Sequence, residues 1–199
     1  MTITYVVKKG LYINMTNRCS NACEFCIRQN GEGVYGSDSL WLEREPTVDE
    51  VVDAISKYDL SAFEELVFCG YGEPTERVDD MLKVASAVKA IAPLSIRLNT
   101  NGHANLIAGR DVTPDFKGLI DIVSISLNFA NAKDYNRVCH PEFGVAAYDG
   151  LIEFARLCKP NVKEVILSVV DTTLPDEDVE KCKQIADGIG VTLRIRPFE

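Results

Sequence analysis

Along its 199 residues the chain alternates six short, nearly continuous apolar runs with stretches of helical spacing. The runs are Leu11–Met15, Glu65–Cys69, Ser95–Asn99, Ile122–Leu127, Glu164–Val170 and Val191–Arg196. Antiparallel strands can be joined by a tight turn, whereas parallel neighbours need a crossover that is usually a helix. Strand-then-helix alternation with apolar strands therefore predicts an α/β fold, a parallel sheet covered by helices. Six strands fall short of a closed eight-stranded barrel. The expectation is a partial (β/α)6 TIM-like barrel with parallel strands, curved and open. No repeat, low-complexity tract or linker divides the chain, so a single domain over residues 1–199 is expected, long enough to bury a substantial core.

The helices carry their own signals. Thr47 reads as an N-cap, with Asp49 and Glu50 in the first turn and Val51, Val52, Ile55 and Tyr58 on one face. A second helix is predicted over Arg77–Ile91, with Met81, Val84, Ala85 and Val88 at helical spacing and Pro93 as its stop. Weaker helical stretches lie at Ala104–Ile107 and Pro114–Gly118, followed by Asp134–Val138, Ala146–Leu157 and Pro175–Ile189. Between Arg28 and Arg44 the chain is polar and glycine-rich and holds the only tryptophan, Trp41. A loop of that length points to a covering segment.

Composition removes several function classes. A formal charge of −9 argues against sequence-independent binding to a nucleic-acid backbone, which needs a basic face. No apolar run approaches the roughly 20 residues of a membrane helix. Lys8 and Lys9 follow the first apolar residues instead of preceding them, so no signal peptide is expected, and the default location is cytoplasmic, without a membrane. Seven cysteines, of which three cluster, favour metal binding over disulfides.

The cluster is Cys19-x3-Cys23-x2-Cys26, directly after the first strand. Three thiolates in one loop can hold three corners of an iron–sulfur cube and leave the fourth iron for an exogenous chelator. The alternatives are a structural zinc completed by His103 or His140, neither of which has ligand-pair spacing, and three incidental cysteines. Further polar and glycine-bearing turns stand at the C-terminal ends of later strands, where ligands bind in such folds. They are Gly70-Tyr71-Gly72-Glu73-Pro74, Asn99-Thr100-Asn101-Gly102 and Ser126-Leu127-Asn128. On the last strand Arg194 and Arg196 alternate with apolar neighbours, and either face is open to them: inward, toward a carboxylate, or outward, defending a sheet edge. Arg97 has the same two readings. Cys139-His140 reads as a buried thiol beside a surface imidazole, with a hydrogen-atom or proton donor as the functional alternative. Cys69 is expected to pack at a strand end beneath the cluster, and Cys158 and Cys182 in helix cores. The acidic run Asp171–Glu180 is expected to cap and solvate the last helix.

Cys19-x3-Cys23-x-Phe25-Cys26 resembles the C-x3-C-x-aromatic-C signature of the radical SAM superfamily. Gly70–Pro74 is similar to its Gly-Gly-Glu segment, with Tyr71 in place of the first of those glycines. Asn99–Gly102 resembles its strand-three turn, and Ser126–Asn128 its ribose-contacting segment, with Asn128 where aspartate is frequent. The resemblance spans residues 11–199. Leu40-Trp41-Leu42, Phe68–Thr75 and Tyr135-Asn136-Arg137 are further similar to the small TatD-associated radical SAM proteins.

The resemblance implies a [4Fe-4S] cluster on Cys19, Cys23 and Cys26, and S-adenosylmethionine at the open iron. It implies cofactor contacts from Phe25, Gly70, Tyr71, Gly72, Glu73, Asn99, Asn101, Ser126 and Asn128; Arg196, on the inward reading of the last strand, is the candidate for a carboxylate of the cofactor or of an anionic substrate. It also implies reductive cleavage to a 5′-deoxyadenosyl radical that abstracts hydrogen from a small-molecule or nucleotide-like substrate, an electron donor such as flavodoxin or ferredoxin, and a link to a TatD-type nuclease. A glycyl-radical activase and a non-catalytic iron–sulfur or zinc accessory protein are the alternatives.

Overall fold

The computed structural model describes residues 1–34, 36–171 and 174–197. Tyr35 in the glycine-rich segment, Thr172 and Thr173 in the acidic run, and the closing Phe198 and Glu199 lie outside the described residues. Seven strands form one sheet in sequence order: β1 (Thr4–Val7), β2 (Gly10–Ile13), β3 (Glu65–Phe68), β4 (Ser95–Thr100), β5 (Ile122–Ser126), β6 (Glu164–Val170) and β7 (Thr192–Arg196). From β2 to β7 every pairing is parallel, matching the six strands expected. β1 is an addition to that expectation, an antiparallel edge hairpinned onto β2. It was not foreseen because a four-residue strand has too little alternation to stand out: Tyr5 turns inward while Val6 faces solvent.

The helices α1 (Val48–Ser56), α2 (Val78–Ile91), α3 (Ala104–Ala108), α4 (Ala132–Cys139), α5 (Ala146–Cys158) and α6 (Asp176–Ile189) fall in the crossovers. Thr47 caps α1 through a full capping box: its hydroxyl accepts from Glu50 N–H, and its own N–H donates to the Glu50 carboxylate at 2.8 Å. The second predicted helix begins with a 3-10 turn, Pro74–Arg77, before α2.

The two faces of the sheet differ sharply. Ile13, Phe68, Leu98, Val123 and Val165 sit in adjacent register and are buried under the helices. On the opposite face Tyr12, Arg97, Asn99, Ser124, Ser126 and Ser168 look into a cavity. The helix-covered face is thus apolar throughout, while the cavity face mixes polar side chains with apolar ones such as Val67 and Val170. Interiors of closed TIM barrels are filled by branched apolar side chains. Here hydroxyls, amides and guanidiniums replace them on the concave face, so the lumen holds space instead of core.

Candidate functional site

Cys19, Cys23 and Cys26 line one cavity of about 360 Å³ at the C-terminal ends of the parallel strands. The loop that carries them is fastened on two sides. Ala22 and Glu24 donate their N–H groups to the carbonyls of Cys139 and Val138, both at 3.0 Å, so the C-terminal turn of α4 is its platform. Opposite, Glu73 N–H donates to the Arg18 carbonyl at 2.8 Å. Under the loop runs a buried polar chain. Asn101 Nδ2 reaches Ser20 Oγ at 2.9 Å and Cys19 Sγ at 3.9 Å. Ser20 Oγ meets His103 Nδ1, and His103 Nε2 meets the Tyr135 hydroxyl, each at 3.1 Å. Asn21 Nδ2 donates to that same hydroxyl at 2.9 Å. Burial pushes the His103 pKa down to about 4, so the ring is a neutral bridge at ordinary pH.

His103 therefore has both nitrogens engaged, and His140 is exposed and paired with Glu24 at 2.9 Å. Among the described residues no three His, Cys, Asp or Glu side chains converge on a single-ion site. Neither histidine lines the cavity with the thiols, and three thiols on one cavity suit a cluster with several irons.

Burial, with help from Glu73, pushes the Cys19 thiol up to about 12. Cys23 is raised first by a hydrogen bond with Cys139 and then by burial, and Cys26 is raised by burial. Arg28 pulls all three the other way. Cys139 is fully buried, as expected, but it packs against the cysteine loop and accepts from Asn128 Nδ2 at 3.7 Å.

The Gly70–Glu73 turn presses directly on this loop. A Cβ on Gly72 would fall 2.3 Å from the Thr16 carbonyl oxygen and 2.6 Å from that of Arg18. A Cβ on Gly70 would meet the Asn14 side chain. Tyr71 points away toward the covering segment: it is buried, donates to the Gly31 carbonyl at 2.8 Å and stands edge-on to Trp41. Asn14 and Asn17 hold the same segment through Leu40 and Leu42. Val34 and Leu40 then form part of the cavity wall.

The Glu73 carboxylate accepts from Thr75 N–H, the Thr75 and Thr100 hydroxyls, and Asn101 N–H, the last at 2.6 Å on Oε2. It ties the glycine turn to the end of β4, and burial raises its pKa against those four donors.

Asn99, Ser126 and Phe25 also line the cavity. Asn128 adopts φ +60°, a left-handed conformation that asparagine tolerates, and its Oδ1 is buried without a partner. Asn21 Oδ1 and Arg196 Nε are likewise buried and unpaired in the same wall. Cys69 forms wall as well, hydrogen-bonded with Asn99, and so faces the open space instead of only packing beneath the loop.

Ser20 and Asn21 have no sequence signal as site residues; His103 reads there only as a zinc ligand and Tyr135 only as part of a motif, and neither is expected from sequence to support the cysteine loop. Their contacts join positions 83 and 114 apart in the chain, beyond the reach of any local motif.

The sequence profile of the Radical SAM superfamily matches residues 13–186. Comparison with curated protein sequences gave no match. Among solved structures, SuiB of Streptococcus suis bound to its precursor peptide SuiA superposes with a TM-score of 0.69 at 14% identity, over 96% of this chain and 39% of that one. SuiB bound to S-adenosylmethionine gives 0.66 at 12% identity, over 94% and 40%. Methylornithine synthase (PylB) gives 0.65 at 14% identity, over 96% and 53%. The chain spans about two fifths of the length of SuiB and half that of PylB. At these identities the likeness concerns the fold, and it is the shared partial barrel that aligns. Cofactors of the matched family are a [4Fe-4S] cluster and S-adenosylmethionine, and with a profile covering most of its length this chain belongs to the radical SAM superfamily.

Proposed function

We propose that residues 1–199 form a single radical SAM core that reductively cleaves S-adenosylmethionine and abstracts hydrogen from a small-molecule or nucleotide-like substrate. The observation that carries this reading is the convergence on one cavity of three loop thiols, the Gly70–Glu73 turn, and the unpaired buried amide oxygens of Asn21 and Asn128. Cys19, Cys23 and Cys26 hold the [4Fe-4S] cluster. Bound there, the cluster and S-adenosylmethionine supply, on one-electron reduction, a 5′-deoxyadenosyl radical for hydrogen abstraction.

The chain's own residues bind, orient and shield. Asn128 offers a desolvated acceptor, its Oδ1, suited to a ribose hydroxyl, with Ser126 beside it on the strand end. Phe25, 6.2 Å from Phe129, gives the adenine an apolar wall. Gly70, Tyr71 and Gly72 present backbone to the methionine end. Glu73, expected at the cofactor's ammonium, has four internal donors. It acts chiefly by holding that turn against Asn101, with Oε2 keeping capacity for one more donor. Asn99 and Asn101 complete the β4 end. The covering segment, through Val34 and Leu40, excludes water from the thiols.

Within the superfamily we place the chain with the small TatD-associated group, on the motif residues of the Leu40, Phe68 and Tyr135 runs. That placement carries the proposals of a functional link to a TatD-type nuclease and of flavodoxin or ferredoxin as reductant. A cytoplasmic setting is proposed with it; among the described residues no helix is long and apolar enough to cross a membrane.

Anaerobically reconstituted protein, reduced with dithionite and supplied with S-adenosylmethionine, should release 5′-deoxyadenosine. A fully loaded cluster that yields none with several reductants would overturn the reading. Cys23→Ala should abolish cluster loading.

A further inference from the structure

Four charged side chains line the cavity: Arg97, Arg194, Arg196 and Glu73. A wall with three guanidiniums and one carboxylate runs against the composition of a chain with 30 acidic and 21 basic residues. Glu73 is engaged by its four internal donors. Arg97 is matched by Glu65 at 2.7 Å and by the Tyr12 hydroxyl at 3.2 Å. Arg194 and Arg196 have no ion pair among the described residues, and Arg196 Nε is buried without an acceptor. They stand two residues apart on one strand, so each raises the energy of the other's charge. Burial, with Arg194 adding to it, pulls the Arg196 pKa below its usual range. A half-buried guanidinium whose Nε has lost water without gaining an acceptor is costly, and a partner anion relieves that cost.

The cofactor is a poor match for that anion. Arg28 is the cation that acts on all three loop thiols. Arg196 instead has Arg194 and the Cys69 thiol beside it, and burial raises the Cys69 pKa, so that thiol is no anion. S-adenosylmethionine carries a sulfonium and an ammonium against one carboxylate, so its net charge is positive and it offsets two guanidiniums poorly. Register places Arg194 beside Ser168, Ser168 beside Ser126, and Ser124 beside Asn99. The arginine wall thus continues into a row of hydroxyl and amide groups.

We propose that the β7 side of the cavity, with Arg196 and Arg194 as its anchor, is the substrate subsite and takes a small hydroxylated molecule ending in a phosphate or carboxylate. Its role as a substrate site rests on the function proposed above; its preference for an anion does not. Arg196 presents a planar fork suited to either group, and Ser124 and Ser168 face the body of such a molecule.

Three matched probes test this: ribose 5-phosphate, ribonate and ribose, titrated calorimetrically into cluster-free and into reconstituted protein. At least one anion should bind ten times more tightly than ribose or better, and which one identifies the terminal group. R196Q should weaken that anion about tenfold to a hundredfold, the range for a charged hydrogen bond; R196K, which keeps the charge and loses the fork, should fall between wild type and R196Q, and S-adenosylmethionine binding should fall by clearly less. If R196Q does not fold, R194Q, at an exposed position, should weaken the same anion. Ribose binding as well as both anions would overturn the proposal, as would R196Q weakening S-adenosylmethionine as much as the anion. The affinities are measured without turnover, so a failure to form 5′-deoxyadenosine does not decide them.

Discussion

Replacing Gly72 by alanine should loosen the cysteine loop from its scaffold. The added Cβ would lie 2.3 Å from Thr16 O, 2.6 Å from Arg18 O and 2.8 Å from Thr16 C. All three are backbone atoms, so no side chain can swing aside, and either the Gly70–Glu73 turn or the Thr16–Arg18 segment must retreat. Retreat stretches the 2.8 Å hydrogen bond from Glu73 N–H to the Arg18 carbonyl, next to Cys19. Overpacking of this kind costs about 1–3 kcal/mol, and a lost backbone hydrogen bond adds about 1 kcal/mol. For a chain of this size each kcal/mol moves the melting temperature by roughly 2–4 °C. The cluster-free protein should therefore melt about 4–16 °C lower by circular dichroism. After reconstitution, iron per chain should fall too, because Cys19 moves with its neighbour. A G72A protein that melts within about 1 °C of wild type and takes up full iron would refute the claim that this contact sets the loop's position.

Three other changes have definite signs. Gly188 lies inside α6 with nothing within 4 Å of its virtual Cβ, so Gly188→Ala should stabilise by about 0.5–1 kcal/mol, seen as a higher urea midpoint. Thr47→Ala removes the hydroxyl that caps α1 and should cost about 1 kcal/mol in the same assay. His103 binds its proton less readily folded than unfolded, so stability should be full above pH 6.5 and decline as the pH falls toward about 4. That decline, about 3 kcal/mol at most, should be read from urea midpoints across the window; a His103→Gln variant should lack this part of the slope.

The covering segment and the cysteine loop illustrate how far local sequence reaches. The capping box at Thr47 and the parallel order of six strands were legible because capping residues and strand–helix alternation are local or periodic signals. The glycine turn and the cysteine spacing were legible as motifs. The job of Glu73 was not, since its partners include Thr100 and Asn101, more than 25 residues away. Nor was the support given by Cys139 and Tyr135, which approach the cysteine loop only once α4 packs beneath it.

By itself, then, the chain order determined an α/β partial barrel and marked which turns carry chemistry, because apolar periodicity and turn composition act over a few residues. Only the tertiary structure decided which face of the sheet is hollow. Arg97, Arg194 and Arg196 alternate with apolar neighbours equally well whether they defend an edge or line a lumen. Sheet curvature, with helices covering the outer face alone, turns Arg97 and Arg196 inward, where Arg196 has no ion pair among the described residues.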